Sequence, residues 1–334
     1  MRRLSALLAT PAGRVARYLV SAALILWLIL QIDRGQLRAL RGEFSWPAIL
    51  AALVFFGVTF PLQAWRWWLL LRAQRIPLSF HWAHVVTWIG QFYNSFLLGG
   101  IGGDAARAYY VIRDAPDRRA AGLTTLLIDR VAGLIVLMAI AAVALAVRPP
   151  APTAAPGLRW LFLAAVATTL GGALAAAVLL KLSPHRWPAP LRRALGPGRL
   201  AKAAELLAAV RASPGAHAAA LVLGIGIWLL DFVAAWLLAR AVGLPLPFLE
   251  TCVAMSVAYA VTVLPISVGG HGVREGAMLA TLAAYGLLAA DADRDRAFVF
   301  ALLIWTTTVL WSLVGGLVAL AAPRLLPVAK TPAS

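Results

Sequence analysis

Residues Leu97 to Tyr110 have the sequence LLGGIGGDAARAYY, in which glycines interrupt an apolar segment and an aspartate and an arginine follow. The glycine spacing is similar to G-x-G-x-x-A, the phosphate-binding turn of dinucleotide-binding proteins. That turn needs a preceding strand in a soluble βαβ unit. Here 62% of the 334 residues are hydrophobic and only 13% are charged. We therefore interpret the stretch as a break in a membrane segment.

The composition predicts an all-α integral membrane protein, because long apolar runs recur along the whole chain. No segment is polar enough to form a separate soluble domain, so residues 1–334 are expected to form a single polytopic membrane domain. The net charge of +17 fits the positive-inside bias and anionic headgroups better than nucleic acid. The single cysteine, Cys252, excludes an internal disulfide, and the pattern predicts neither a metal site nor a cofactor.

The apolar runs predict six full membrane spans, each able to cross a hydrocarbon core of about 30 Å. The first follows an arginine-rich start and is interpreted as an uncleaved span. The six spans are residues 17–32, 47–71, 120–147, 158–182, 217–241 and 297–322. Between the fourth and fifth lies a basic cytoplasmic connector, 183–214, whose second half is predicted to form an amphipathic surface helix.

Two further apolar stretches, 80–113 and 247–290, are interrupted by glycines and charges. We interpret each as a broken, re-entrant hairpin that enters and leaves the membrane on one side. With this topology the larger share of Lys and Arg falls on the side of the N-terminus. The positive-inside rule then predicts that both termini lie in the cytoplasm, and we expect the membrane to be a bacterial inner membrane.

The glycine motif recurs half a chain later: LLGGIGGDAAR (97–107) aligns with LPISVGGHGVR (264–274), sharing the pattern G-G-[D/H]-x-x-R. Each half, approximately 15–148 and 158–322, contains two spans, a broken hairpin and one span. An odd number of full crossings separates the two motifs, which predicts inverted repeats. Inverted repeats with discontinuous helices are typical of transporters that bind substrate at the repeat interface.

The residues of the two motifs suit a phosphate. Glycines permit a sharp bend, and the helices expected to start at Asp104 and His271 would present free N–H groups to an anion. Arg107 and Arg274, one turn further on, can each fork onto phosphate oxygens. The predicted headgroup site comprises Gly102, Gly103, Asp104, Arg107, Gly269, Gly270, His271, Arg274 and Glu275.

Four other charges fall inside predicted spans, away from their ends: Arg66, Asp129, Arg130 and Asp231. Each charge deep in a membrane costs about 2.5–3.5 kcal/mol on insertion scales, so we expect them to form supporting charge pairs. Asp104 and Glu275 are expected to orient the two motif arginines or to exchange with a substrate phosphate. Ion pairing that only locks the fold is the alternative for Asp129 and Arg130.

The chain resembles the lysylphosphatidylglycerol synthase transmembrane-region family, which includes the lipid-flipping domain of the multiple peptide resistance factor. The resemblance rests on NSFLLGGIGGDAARAYYV, LLIDRVAGL and VLPISVGGHGVREGAM, and covers residues 15–322. The family usually has a proline in the first motif where this chain has Gly99, whereas the second motif keeps Pro265. We do not expect the family's soluble aminoacyl-transfer domain in this chain, so the resemblance implies lipid handling without lipid aminoacylation.

These features predict a lipid translocase, not an enzyme, that moves an anionic phospholipid or polyprenyl-phosphate-type lipid between leaflets. The alternative is a non-transporting membrane partner of a glycosyltransferase or lipid-modifying enzyme, recruited through residues 183–214. A membrane-embedded enzyme is a third hypothesis, with little beyond His271 near Glu275 to support it.

Overall fold

The computed structural model describes residues 44–96, 102–149, 189–262 and 270–325, with isolated positions between 160 and 187. Over these residues it is helical, and the helices are joined by short turns. In chain order they are α1 (Trp46–Ala73), α2 (Phe80–Phe96), α3 (Gly102–Asp114), α4 (Arg119–Val147), α5 (Ala189–Arg211), α6 (Pro214–Ala241), α7 (Phe248–Val261), α8 (Val273–Ala284) and α9 (Asp291–Leu325).

Among the described residues, four segments are long and apolar enough to cross a membrane: Trp46–Ala73, Pro116–Val147, Pro214–Ala241 and Asp291–Ala321. They confirm helices at four predicted spans, 47–71, 120–147, 217–241 and 297–322. The predicted span 17–32 lies outside the described residues, and 158–182 lies almost entirely outside them.

Each interrupted stretch contains two short helices. In the first, α2 ends at Phe96 and α3 begins at Gly102; in the second, α7 ends at Val261 and α8 begins at Val273. The connector 183–214 is also helical over α5, which is broken at Gly196, where φ is 71°. Whether the hairpins are re-entrant, and where α5 lies relative to the membrane surface, remain predictions.

Helices α1 and α6 pack against each other along their lengths and run antiparallel. The backbone N–H of Ser45, just before α1, donates to the carbonyl of Ala241 at the end of α6 (3.0 Å). Further along α1, Arg66 lies beside Gly224, in the first half of α6. Advancing along α1 therefore means moving back along α6, so the C-terminal ends of the two helices lie at opposite ends of the pair.

The remaining helices pack in corresponding pairs. α2 packs on α3 and α9, and α7 packs on α8 and α4. Two clusters of buried apolar side chains result, one around α1, α2 and α3 and a larger one around α6, α7 and α8. Fully buried members are Trp67, Leu71 and Ile89 in the first cluster and Phe232, Met255 and Phe300 in the second.

The turns that follow α1 and α6 have the same construction. The indole N–H of Trp68 donates to the carbonyl of Leu78 (3.1 Å), and that of Trp236 donates to the carbonyl of Leu246 (3.0 Å). In each connection, one backbone N–H donates to the carbonyl of the residue five positions earlier, which lies near the end of the preceding helix. Two turns half a chain apart are therefore held to the helices that precede them by equivalent hydrogen bonds.

Both turns also contain an arginine stacked on this tryptophan. The Arg72 guanidinium carbon lies 4.9 Å from the Trp68 ring centroid, and that of Arg240 lies 4.7 Å from the ring of Trp236. Three residues after each arginine the backbone is left-handed, with φ of 54° at Arg75 and 70° at Gly243. Glycine accepts this conformation readily, whereas an arginine adopts it at a cost.

Candidate functional site

The start of α3 places the first motif against α2. The N–H of Gly103 donates to Oδ1 of Asn94 (2.8 Å). A β-carbon at Gly103 would collide with the Gly90 carbonyl and with the Asn94 side chain. The second glycine of the motif is therefore required for close helix contact, and this contact fixes the position of Arg107 one turn later.

Arg107 faces a buried ion pair between two long helices. Arg66 on α1 binds Asp129 on α4 through two hydrogen bonds, Nε to Oδ1 at 2.7 Å and Nη2 to Oδ2 at 3.1 Å. Nη1 of Arg107 approaches Oδ2 of the same carboxylate at 3.7 Å. The three side chains are only 8–12% exposed. Two guanidinium groups therefore share one carboxylate in a buried setting.

Small and aromatic residues make room for this cluster. A β-carbon at Gly224 would lie 3.4 Å from Nη1 of Arg66, and one at Gly133 would lie 3.7 Å away. The Arg107 guanidinium stacks over the Trp67 ring at 5.3 Å. Its Nε is buried and has no hydrogen-bond partner among the described residues. Arg107 thus retains donor capacity that the described residues do not use.

Asp104 and Arg130 form a second, more exposed pair. Arg130 Nε lies 2.8 Å from Asp104 Oδ2, and the side chains are 47% and 29% exposed. Asp129 and Arg130 are neighbours in sequence, yet each pairs with a residue on another helix. Asp104 therefore neutralises Arg130 by direct contact and acts on Arg107 only through its charge.

The second motif orients its arginine within α8. Gly270 and Gly272 have left-handed backbones, with φ of 77° and 82°, and Glu275 accepts a hydrogen bond from the Gly272 N–H (2.7 Å). The other carboxylate oxygen of Glu275 accepts from Nη2 of Arg274 (2.6 Å), which also donates to the Thr308 hydroxyl (3.2 Å). Glu275 thus caps the helix and holds the Arg274 guanidinium by direct contact.

His271 connects the two motifs. Its Nε2 donates to the carbonyl of Ser95 at the end of α2 (3.1 Å). The Ser95 hydroxyl is hydrogen-bonded to that of Ser312 on α9, and Ser312 donates to the carbonyl of Thr308 (2.8 Å). A buried polar network therefore runs from the first hairpin stretch through α9 to Arg274 in the second.

Asp231 lies beside the second motif, buried on α6. The Tyr259 hydroxyl lies close to its carboxylate, and the charge of Arg274 acts on it. Asp231 and Tyr259 both line a small gap whose walls also include Phe56 and Thr307. Asp231 thus belongs to the surroundings of Arg274 and lies next to Tyr259.

The predicted residues therefore form two sets, and the Ser95–His271 bond links the second set to the end of α2. Arg66, Asp104, Arg107, Asp129 and Arg130 form the first, which we call the Arg107 cluster. His271, Arg274, Glu275 and Asp231 form the second, the Arg274 cluster. Gly269 lies outside the described residues. Sequence reasoning missed Ser95, Thr308 and Ser312, for which the available signal was hydroxyl groups recurring within apolar helices.

Long apolar helices enclosing buried charges define a multi-pass membrane protein. The family model described as lysylphosphatidylglycerol synthase TM region matches residues 14–315. The chain belongs to this family, which confirms the resemblance carried by the two glycine motifs. No protein of curated function matches the chain.

Proposed function

We propose that the protein is a lipid translocase that moves an anionic phospholipid or polyprenyl-phosphate-type lipid between the leaflets of the bacterial inner membrane. The observation that carries the proposal is Arg107. Its buried guanidinium shares Asp129 with Arg66, and its Nε has no protein partner among the described residues. A lipid phosphate supplies the missing acceptor and charge, since guanidinium groups bind phosphate oxygens strongly.

The repeated architecture supports transport. Antiparallel α1 and α6 end in turns with the same hydrogen bonds, and the helices that follow pack in corresponding pairs. We interpret this as two inverted repeats, each contributing one arginine cluster. In transporters of this kind the substrate site lies near the repeat interface, and movement of one repeat against the other alternates access to it.

Leaflet exchange of fluorescent phosphatidylglycerol in proteoliposomes tests the proposal. We expect Arg107→Gln to slow exchange about tenfold or more, because a charge-assisted hydrogen bond contributes about 1.5–3 kcal/mol. Arg274→Gln should act in the same direction through the second cluster. The matched control is Arg118→Gln, an exposed arginine on the turn before α4.

Exchange by the Arg107→Gln protein at the wild-type rate would refute the proposed role of Arg107. If wild-type protein exchanged no lipid and instead co-purified with a glycosyltransferase or lipid-modifying enzyme, the proposal would yield to the partner hypothesis. A thermal melt of each variant separates loss of binding from loss of fold.

A further inference from the structure

Two open pockets lie against the turns that follow α1 and α6. The first has a volume of about 370 Å³ and is lined by Trp68, Arg72, Arg75, Ile76, Pro77, Leu78 and Ser79. The second has a volume of about 430 Å³ and is lined by Arg240, Gly243, Leu244, Pro245, Leu246 and Pro247. They occupy equivalent positions in the two repeated turns and lie apart from both arginine clusters.

The first pocket presents two arginines with free donors. Arg72 and Arg75 are exposed, and neither has a hydrogen bond or an ion pair from its side chain within the described part of the chain. Stacking over Trp68 holds the Arg72 guanidinium by its face, which leaves the N–H groups at its edge available. Two cations beside an aromatic wall suit a single anionic group.

The second pocket has one arginine in its lining. Arg240 stacks on Trp236 as Arg72 does on Trp68, and it lines the pocket. Glycine occupies position 243, where the first turn has Arg75. The guanidinium of Arg296, from the start of α9, lies 3.6–4.0 Å from where a β-carbon of Gly243 would be, but Arg296 is not part of the lining and is paired with Asp293 (3.8 Å). The second pocket therefore presents the guanidinium of Arg240 to a ligand.

The location of the pockets selects a lipid as the occupant. Because α1 and α6 are antiparallel and each is long enough to cross a membrane, the pockets lie at opposite membrane faces. Trp68 packs edge-on against Phe80, and Trp236 packs likewise against Phe248. Tryptophan beside arginine at a helix end is typical of the headgroup region, where phosphates are concentrated.

We propose that each pocket binds the phosphate of one anionic glycerophospholipid, so that the protein retains one lipid at each membrane face. These sites are additional to the buried arginine clusters and exist whether or not the protein translocates lipid. The left-handed backbone at Arg75 fits this role: the turn keeps an arginine where glycine would be less strained, and strain of this kind concentrates at binding sites.

Native mass spectrometry of the whole protein, released from vesicles of equal parts dioleoyl phosphatidylglycerol and dioleoyl phosphatidylcholine, counts the retained lipids. We expect Arg72→Gln/Arg75→Gly to lose one phosphatidylglycerol, Arg240→Gln to lose one, and the combined variant to lose two. Arg75→Gly installs the residue that the second turn already has at Gly243, so the turn should still form. A thermal melt checks this.

Arg118→Gln is the matched control and should retain the wild-type count. The proposal is overturned if the combined variant retains as many phosphatidylglycerols as wild type, or if Arg118→Gln loses as many. Displacement of the lipid by excess inorganic phosphate would overturn the assignment to a lipid. Arg107→Gln should keep both lipids while losing exchange, so failure of the translocase proposal and failure of this one are distinguishable.

Discussion

At the scale of single residues, the decisive feature is the sharing of Asp129 by Arg66 and Arg107. A buried ion pair adds little stability over apolar packing, but removing one member leaves a charge without compensation. Here one carboxylate, that of Asp129, compensates the charges of two guanidinium groups. Its loss should therefore cost more than loss of a carboxylate in an exposed pair.

We predict that Asp129→Asn lowers the free energy of unfolding by about 3–5 kcal/mol, the cost of breaking a buried pair. The matched control is Asp104→Asn, which removes the carboxylate from the more exposed pair with Arg130 and should cost about 1 kcal/mol or less. Denaturant unfolding in detergent micelles measures both. Equal losses from the two variants would show that burial does not set the energetics of these pairs.

At the scale of helices, glycines determine how closely the pairs pack. A β-carbon on Gly315 of α9 would collide with the carbonyl of Trp88 on α2, whereas one on Gly226 of α6 would have no atom within 4 Å. The α2–α9 contact also includes the Ser95–Ser312 hydrogen bond of the buried polar network. The approach of these two helices therefore supports the polar network as well as the packing.

Gly315→Ala should destabilise the protein by about 1–3 kcal/mol, because backbone must move to accept the added methyl group. Gly226→Ala, a matched change in an uncrowded part of another long helix, should be neutral or stabilising by up to about 1 kcal/mol. Melting temperatures in the same detergent compare the two. A Gly315→Ala protein as stable as wild type would mean that α2 and α9 pack less closely than the structure shows.

Much of the arrangement of helices along the chain was predictable from the sequence. Long apolar runs indicate the helices at 47–71 and 217–241, and glycines mark the breaks between helices. The pairing of Asp129 with Arg66, 63 positions away, was not, since several arginines could have reached that carboxylate. The repeated turns could have been found by extending the motif comparison: WLLLR (68–72) matches WLLAR (236–240). Their shared hydrogen bonds required the structure.

At the scale of the whole molecule, the antiparallel packing of α1 and α6 places the turns that follow them at opposite ends of the pair. Pro77 and Pro245 occupy the same position in the repeated turns, and both are exposed. If the halves are inverted repeats in a membrane, these two prolines face different compartments.

We predict that Pro77→Cys and Pro245→Cys, each introduced with Cys252→Ser, react with a membrane-impermeant maleimide from opposite sides. Intact cells expose the outer face of the membrane to the reagent, and inside-out vesicles expose the inner face. Labelling after detergent lysis is the control that both cysteines are reactive. Modification of both cysteines from the same side of intact membranes would contradict the inverted arrangement.

The pairing of Arg66 with Asp129 also bears on how the chain is made. Ribosomes add about 5–20 residues per second, so Arg66 emerges roughly 3–13 s before its carboxylate, given the 63 positions between them. During that interval a lone guanidinium in lipid costs about 2.5–3.5 kcal/mol. Stable insertion of α1 therefore requires the synthesis of α4, which carries Asp129. Until then, the nascent first half depends on the insertion machinery.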